Sequence, residues 1–543
     1  MTRMRIAFDA ERGAAFRAGG YWNDDTLFGW LSRNARARPA HAALRLGDHT
    51  WSYGRLEREV LALAGGLAEL GVRRGDVVAV QLPNTPQFVQ AYMAISSLGA
   101  VMQTLHMPYR AADLEVLLAH SGAHAVICLD QSGDHAAART FLNLRAKLPA
   151  LGAVIAVGAN LPEGARAWNA LAARPPATEL PALRGEDAFL LLYTSGTTSS
   201  PKGVPHAYQD FLANARLSAA ELALGGDDVI LSAAPFTHLY GLFTVNMALA
   251  VGATVALLPS FSPPALAETI RVARPTAAFT APAHIAACLN AGLFDGLDMS
   301  CLKFVQMSGS AVPPALGRAL EPRLGGGKVM QLWGMTELQA GAFTRPSDPE
   351  PVRLESTGRA SPGTELRVVD SAGVVLAALA EGELQMRGPS LFAGYLDNAG
   401  ATQAAFAAEG WFRTGDLAVI DADGNVRLTG RVKDIINRGG VKFNPADVEA
   451  LLMQHPAVAE VAIAPVPDAR LGEKACCFVV VKAGATLTIE DTRNFLAAAG
   501  VGKPKWPEHL ELVPAMPMTP TRKIIKGELV RRFLARNPER PAA

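Results

Sequence analysis

The chain has 543 residues, 50% of them hydrophobic, and 51 basic residues offset 50 acidic ones to leave a net charge of +1. That length allows several domains and a large buried core, and the balanced charge argues against a nucleic-acid or anionic-membrane partner. The five cysteines, Cys128, Cys288, Cys301, Cys476 and Cys477, are odd in number. Their adjacent pair suits neither a disulfide framework nor a CxxC metal site, so a reduced, cytoplasmic setting is expected.

The segment from Met1 to Asp9 lacks the long apolar core of a signal peptide. Helical spacing follows from Arg55 to Leu67 and again from Gln87 to Leu98. Between and beyond them, Val77–Leu82, Val126–Leu129 and Val154–Val157 read as short buried strands. This alternation predicts layered parallel α/β structure. From Val229 to Ala267 there is no Asp, Glu, Lys or Arg, which could pass for a membrane span. Its prolines and glycines argue instead for a strand at 229–234, a short helix at 239–250 and a second strand at 253–258. From Thr364 to Leu428 short strands alternate with Gly/Asp turns, which predicts a small antiparallel subdomain. A further change of style falls near 430–445. Beyond it, 445–455, 461–465, 477–481 and 491–498 alternate again as helix, strand, strand and helix.

The most informative stretch runs from Leu192 to Val204, directly after the apolar run Ala188–Leu192. It gathers Thr194, Ser195, Gly196, Thr197, Thr198 and Lys202 into one short loop. Such a loop can wrap a polyphosphate: glycine lets backbone N–H groups come close, hydroxyls add hydrogen bonds and lysine adds charge. It is not the GxxxxGK[ST] loop, because the spacing fails and Pro201 precedes the lysine. Four further segments stand out in order: Gln331-Leu332-Trp333-Gly334-Met335-Thr336-Glu337, Trp411-Phe412-Arg413-Thr414-Gly415-Asp416, Gly430-Arg431-Val432-Lys433-Asp434 running to Gly439-Gly440-Val441-Lys442, and Pro517 to Lys526 around Lys523.

These five segments resemble the motifs of the adenylate-forming superfamily, the acyl-CoA synthetases and their relatives. The resemblance covers about Trp22 to Phe533. It implies a large N-terminal domain of layered α/β subdomains with a small antiparallel β subdomain, at 1–430, and a small mobile α+β C-terminal domain at 431–543. It implies ATP and coenzyme A as co-substrates, Mg²⁺ as the metal and a small carboxylic acid as the substrate, with no membrane span. A homodimer is left open.

The site residues follow from the same resemblance. Thr194 to Thr198 with Lys202 would hold the phosphates, and Ser310, Ala311, Trp333, Gly334, Met335 and Thr336 would hold the nucleotide. Glu337 and Thr198 would bind the metal, a sensible pairing because Mg²⁺ favours hard oxygen ligands beside phosphate. Asp416 would accept from the ribose hydroxyls, and Arg431 would touch ribose and phosphate. Lys433 falls at the hinge position and Lys523 at the catalytic lysine. Gly439, Gly440 and Lys442 would flank the pantetheine of coenzyme A. His238, Leu239, Gly309 and Gly334 would border the acyl group, with His238 beside its carboxylate.

Two departures are visible: Ser199 where the phosphate loop usually has glycine, and Arg522 where glycine usually precedes the catalytic lysine. The hydroxybenzoate-activating relatives carry asparagine directly after the histidine, where Leu239 stands here. The wording around Gly20-Tyr21-Trp22 and Ile436–Gly440 is closer to the aryl-acid and alicyclic-acid branch, including cyclohexanecarboxylate–CoA ligases. An apolar ring acid or medium-chain acid is therefore expected. The alternatives are transfer to a phosphopantetheine carrier protein, a luciferase-like oxidase and a non-catalytic nucleotide binder.

Overall fold

The computed structural model describes residue 4 and residues 6–194, 201–519 and 524–537. Two compact units emerge, Met1–Glu365 with Arg387–Phe406, and Leu366–Met386 with Ala407–Ala543.

The first unit is built on two large sheets among the described residues. One has the strand order Arg166–Ala167, Ala153–Val157, Ala125–Leu129, Val77–Gln81, Val101–Thr104, Ala188–Thr194, Lys202–Ala207. Its pairs are parallel until the last, where Ala188–Thr194 and Lys202–Ala207 run antiparallel. The second sheet has a parallel centre, 254–256, 229–232, 277–280, 304–307 and 328–335, closed by antiparallel pairs at both edges. All five residues of Val77–Gln81 are buried, as a parallel strand covered by helices on both faces requires.

The helices obey their sequence period. In Tyr53–Glu69 the residues Leu56, Val60, Leu63, Ala64 and Leu67 are buried along one face, and the Ser52 side chain accepts from the Arg55 N–H to cap the first turn. The uncharged stretch resolves into the strand Val229–Ser232, the helix Leu239–Val251 and the strand Thr254–Ala256. The helix carries no charged residue because it lies in the main core, with Leu242, Phe243, Val245 and Met247 essentially inaccessible. Each such side chain contributes about 1.5–3 kcal/mol on burial. Its 13 residues are too few for a span. Among the described residues no helix is long and apolar enough to cross a membrane.

The second unit contains a four-stranded sheet, ordered Glu365–Val369, Gly382–Arg387, Phe412–Ile420, Val426–Arg431, whose last three strands pair antiparallel. It also contains a five-stranded sheet of Val441–Phe443, Ile436–Arg438, Gly472–Val481, Val458–Asp468 and His509–Leu512. The helices Pro445–Leu452, Ile489–Ala498 and Lys526–Arg536 pack on it. Cys476 and Cys477 are successive strand residues, so they point to opposite faces and enter different apolar clusters. None of the five cysteines forms a disulfide.

Candidate functional site

The phosphate-loop candidate is framed by the antiparallel pair, with Thr194 directly opposite Lys202. Both ends of the intervening loop are therefore pinned to one end of the sheet. Ser195, Gly196, Thr197 and Thr198, and the departure at Ser199, lie outside the described residues. The Lys202 ammonium sits 4.8 Å from the centre of the Tyr395 ring, a cation–π distance. The Tyr395 hydroxyl donates to Glu337 Oε1 at 2.9 Å. One aromatic side chain thus links the loop lysine to the predicted metal ligand.

Glu337 lies in the turn between the strands Lys328–Met335 and Gln339–Phe343. The chain turns here because Gly334 permits it. A Cβ at Gly334 would stand 1.8 Å from the Gln339 carbonyl oxygen, a contact no other residue tolerates. Gln339 adopts φ of 59°, and its amide is tied to the Phe211 carbonyl at 2.9 Å. The Trp333 ring lies against Gly341, where a Cβ would come within 2.4 Å of it. Glu337 is only 5% exposed. Desolvation raises its pKa above the ordinary 4.5, opposed most by the Tyr395 hydroxyl and less by His206 and Lys202. A buried carboxyl whose direct hydrogen-bonding partner is a neutral hydroxyl has no counter-ion bonded to it, so a bound cation would favour its charged form. Among the described residues no cluster of three or more His, Cys, Asp or Glu side chains could hold a metal on its own. A single carboxylate nevertheless suits Mg²⁺, which takes one or two carboxylates and completes its shell with phosphate and water.

Behind this turn lies a buried pair that the sequence did not advertise. His206 and Asp210 are both 0% exposed, four residues apart, with Nδ1 and Oδ2 at 2.7 Å. The other ring nitrogen, Nε2, is 2.9 Å from the Thr336 carbonyl oxygen.

On the acyl side, His238 caps the helix Leu239–Val251, its Nδ1 accepting from the Tyr240 N–H at 3.2 Å. The neutral ring consequently carries its hydrogen on Nε2. Burial, and then the neighbouring His106, depress the His238 pKa to about 3. The His106 ring stacks near it at 6.3 Å, holds Thr237 Oγ1 at 2.8 Å, and is itself lowered to about 4 by desolvation. Tyr240 donates to the Gln306 carbonyl at 3.0 Å, which fixes the start of the helix against the sheet. Leu239 is 6% exposed and belongs to the main core. Gly309, at φ of 94°, and the exposed Ser310 and Ala311 follow the strand Phe304–Met307.

In the second unit, Asp416 pairs across its strands with Arg431, Oδ1 to Nε at 2.7 Å. Lys433 sits in the short turn Val432–Asp434 that joins the two sheets. Gly439 and Gly440 form a two-residue hairpin turn at φ of 59° and 92°, between Arg438 and Val441. Two successive positive φ values are what a tight hairpin of this hand demands, and glycine supplies them without strain. Lys442 is exposed on the returning strand. Lys523 and Arg522 lie outside the described residues.

The structure therefore brings Lys202 and Glu337 together through Tyr395, and pairs Asp416 with Arg431. Tyr395, His206, Asp210 and His106 lie outside all five sequence motifs. Only the four-residue spacing of His206 and Asp210 could have signalled one of them.

The two-sheet α/β unit, with its antiparallel pair Ala188–Thr194 and Lys202–Ala207 and the buried turn at Glu337, and the second unit with its antiparallel sheets have the architecture of an adenylate-forming enzyme. The chain matches the family described as AMP-binding enzyme over residues 31–396, and the AMP-binding enzyme C-terminal domain over 447–523. It belongs to that family, within the adenylate-forming superfamily. It is 32% identical to the medium-chain fatty-acid–CoA ligase of Escherichia coli K12, over 96% of this chain and 93% of that one. It is 35% identical to the salicyl-AMP ligase / salicyl-S-ArCP synthetase of Mycobacterium tuberculosis, over 97% and 94%. A solved anthranilate CoA ligase, AuaEII with anthranoyl-AMP, superimposes with a TM-score of 0.86 at 27% identity, over 95% of this chain and 98% of that one.

Proposed function

We propose that this chain is an ATP-dependent acid–CoA ligase that activates an apolar ring or medium-chain carboxylic acid through an acyl-adenylate. The observation that carries the reading is the convergence of Lys202 and Glu337 on Tyr395, in a chain whose relatives include named CoA ligases.

A carboxylic acid is already ionised at neutral pH, so its attack on the α-phosphorus needs no general base. The obstacle is an anion approaching a polyanion. Lys202 and Lys523 place positive charge along the phosphates, and fixed charge of this kind is commonly a large catalytic contribution. Bound through Glu337 and Thr198, Mg²⁺ would neutralise phosphate charge. His238, kept neutral by burial, offers Nε2–H to the substrate carboxylate without adding a competing acid. A carboxylate oxygen bonds to the α-phosphorus as the bond to pyrophosphate breaks. Asp416 and Arg431 hold the ribose of the resulting acyl-adenylate. In the second step the thiolate of coenzyme A bonds to the acyl carbon, and AMP leaves with the electron pair of the broken acyl–phosphate bond.

One site serving two reactions requires a two-state element. We assign that element to residues 431–543 turning about Lys433, which withdraws Lys523 and brings Gly439, Gly440 and Lys442 to the thiol.

Assay of an acid panel with ATP and coenzyme A should yield AMP, pyrophosphate and the thioester. ADP and phosphate in their place would sink the reading. The relative named salicyl-S-ArCP synthetase favours a second acceptor, a phosphopantetheine carrier protein. Comparing initial rates with free coenzyme A and with a loaded carrier separates the two.

A further inference from the structure

We propose that Tyr395 and the His206–Asp210 pair are positioning residues that clamp the Thr336–Glu337 turn from two sides, setting the metal-binding carboxylate at a fixed spacing from Lys202. The proposal rests on Glu337 receiving Mg²⁺ as above.

From the helix side, the Thr336 carbonyl can only accept, so His206 Nε2 must carry a hydrogen to bridge the 2.9 Å between them. Asp210 fixes the ring in that orientation: its Oδ2 holds Nδ1 at 2.7 Å while its Oδ1 accepts from the Ala207 N–H at 2.8 Å. Phe211 packs on the ring, centroid to centroid at 4.7 Å. The same helix, Tyr208–Glu221, anchors the far end of the turn through the Phe211 carbonyl and Gln339. From the opposite side, the Tyr395 hydroxyl donates to Oε1 of Glu337, and the Phe392 N–H donates to the Glu337 carbonyl at 2.8 Å.

This expenditure of buried polar groups is unexplained by folding alone. An apolar side chain at 337 would fill the space without a desolvation cost. The clamp instead holds a carboxylate in place and leaves its charge unspent. Because the Tyr395 ring also lies under the Lys202 ammonium, one side chain sets the distance between the two groups that must grip opposite parts of one polyphosphate. Preorganisation of this kind works through the held group, not through contact with the substrate.

The test is ATP binding by calorimetry without acid, once in excess Mg²⁺ and once in EDTA, with the melting temperature recorded for each protein. Wild type should bind more tightly with Mg²⁺. Tyr395→Phe keeps the ring and loses only the hydroxyl. Its Kd for Mg²⁺–ATP should rise about tenfold, the scale of one hydrogen bond to a charged group, while its Kd in EDTA stays within about twofold. At position 206, Gln places its amide nitrogen near Nε2 and Asn places it near Nδ1. His206→Gln should therefore stay near wild type, and His206→Asn should show the same metal-dependent loss. An unchanged Mg²⁺–ATP affinity in Tyr395→Phe overturns the clamp, and so do identical affinities for the Gln and Asn variants. Tyr395→Phe decides alone if the position-206 variants do not fold. Wild-type binding that is indifferent to Mg²⁺ overturns instead the metal assignment of Glu337.

Discussion

Glu337 and Asp416 are both deeply buried carboxylates, one in each compact unit, 5% and 6% exposed. They are held in opposite ways. Glu337 takes a hydrogen bond from a neutral hydroxyl, and desolvation raises its pKa. Asp416 is locked to a guanidinium at 2.7 Å. The first arrangement leaves a charge seeking a cation. The second spends the charge internally and leaves oxygen lone pairs for neutral donors such as ribose hydroxyls. Two residues of similar chemistry are thereby assigned different work by their partners alone.

If cations do the work that these carboxylates organise, the largest effect belongs to Lys523. Lys523→Ala should cut acid-dependent pyrophosphate exchange by about 10²-fold or more, the usual loss at a single charge-stabilising group. Thioester formation from supplied acyl-adenylate should be largely spared. Equal losses in both half-reactions would contradict the rotation about Lys433.

The comparison itself breaks or holds on a pair of isosteric variants. Glu337→Gln and Asp416→Asn should each slow adenylation by roughly tenfold or more, yet move stability in opposite directions. Glu337 has a folded-state pKa above the ordinary value of 4.5. Its ionisation therefore penalises the fold, and the penalty is absent below pH 4.5 and grows as pH rises through that value. Glu337→Gln should be as stable as wild type or more so at pH 7, with the advantage vanishing near pH 4. Asp416→Asn strips the carboxylate from Arg431, so its melting temperature should fall at pH 7. Thermal unfolding of both proteins at the two pH values decides. A shift of the same sign in both would show that the two carboxylates are not held differently after all.

How much of this was legible beforehand differs between backbone and side chains. The expected helices at 55–67 and 87–98 sit within or beside Tyr53–Glu69 and Pro86–Ser97. The uncharged 229–267 stretch folds as strand, helix and strand. These succeed because apolar periodicity and punctuation are local properties. The antiparallel style after Thr364 was legible for the same reason. Tyr395 was not, because a tyrosine in Gly394-Tyr395-Leu396 carries no pattern, and its partners lie 58 residues away at Glu337 and across the fold at Lys202. Asp210 reads as a helix first-turn acid, and nothing in the sequence says that His206 reaches the Thr336 carbonyl. Motifs locate groups that touch substrate; the groups that hold them are placed by tertiary packing.

A smaller effect concerns the two histidines at the acyl side. Desolvation lowers His106 to about 4 and His238 to about 3. Their folded-state values lie below the ordinary 6.5, so their contribution is complete above pH 6.5 and is lost as pH falls through that value towards 4 and 3. Denaturant midpoints should decline over that window, and His106→Gln should flatten the decline. Neither ring should add an inflection to kcat/KM between pH 6.5 and 8. A histidine inflection there that disappears in His238→Gln would show the ring titrating in the free enzyme, against the effect of its burial.

The smallest expected effect is on acid selectivity. Leu239 offers no hydrogen bond at the position where hydroxybenzoate activators carry an amide. Burying a ring hydroxyl without a partner costs about 1–3 kcal/mol, and at about 1.36 kcal/mol per decade that is roughly a 5- to 150-fold penalty in kcat/KM. The first residue of a buried helix has little room to relax, and Leu239 is 6% exposed. Leu239→Asn should therefore narrow the gap by only a few-fold, because the new amide must itself be desolvated before it rewards the hydroxyl. The measurement is kcat/KM for cyclohexanecarboxylate, benzoate, octanoate and 2,3-dihydroxybenzoate on both proteins. A wild-type preference for the dihydroxy acid would overturn the pocket assignment while leaving the Glu337 and Asp416 contrast intact, since neither carboxylate is assigned a part in reading the acyl group.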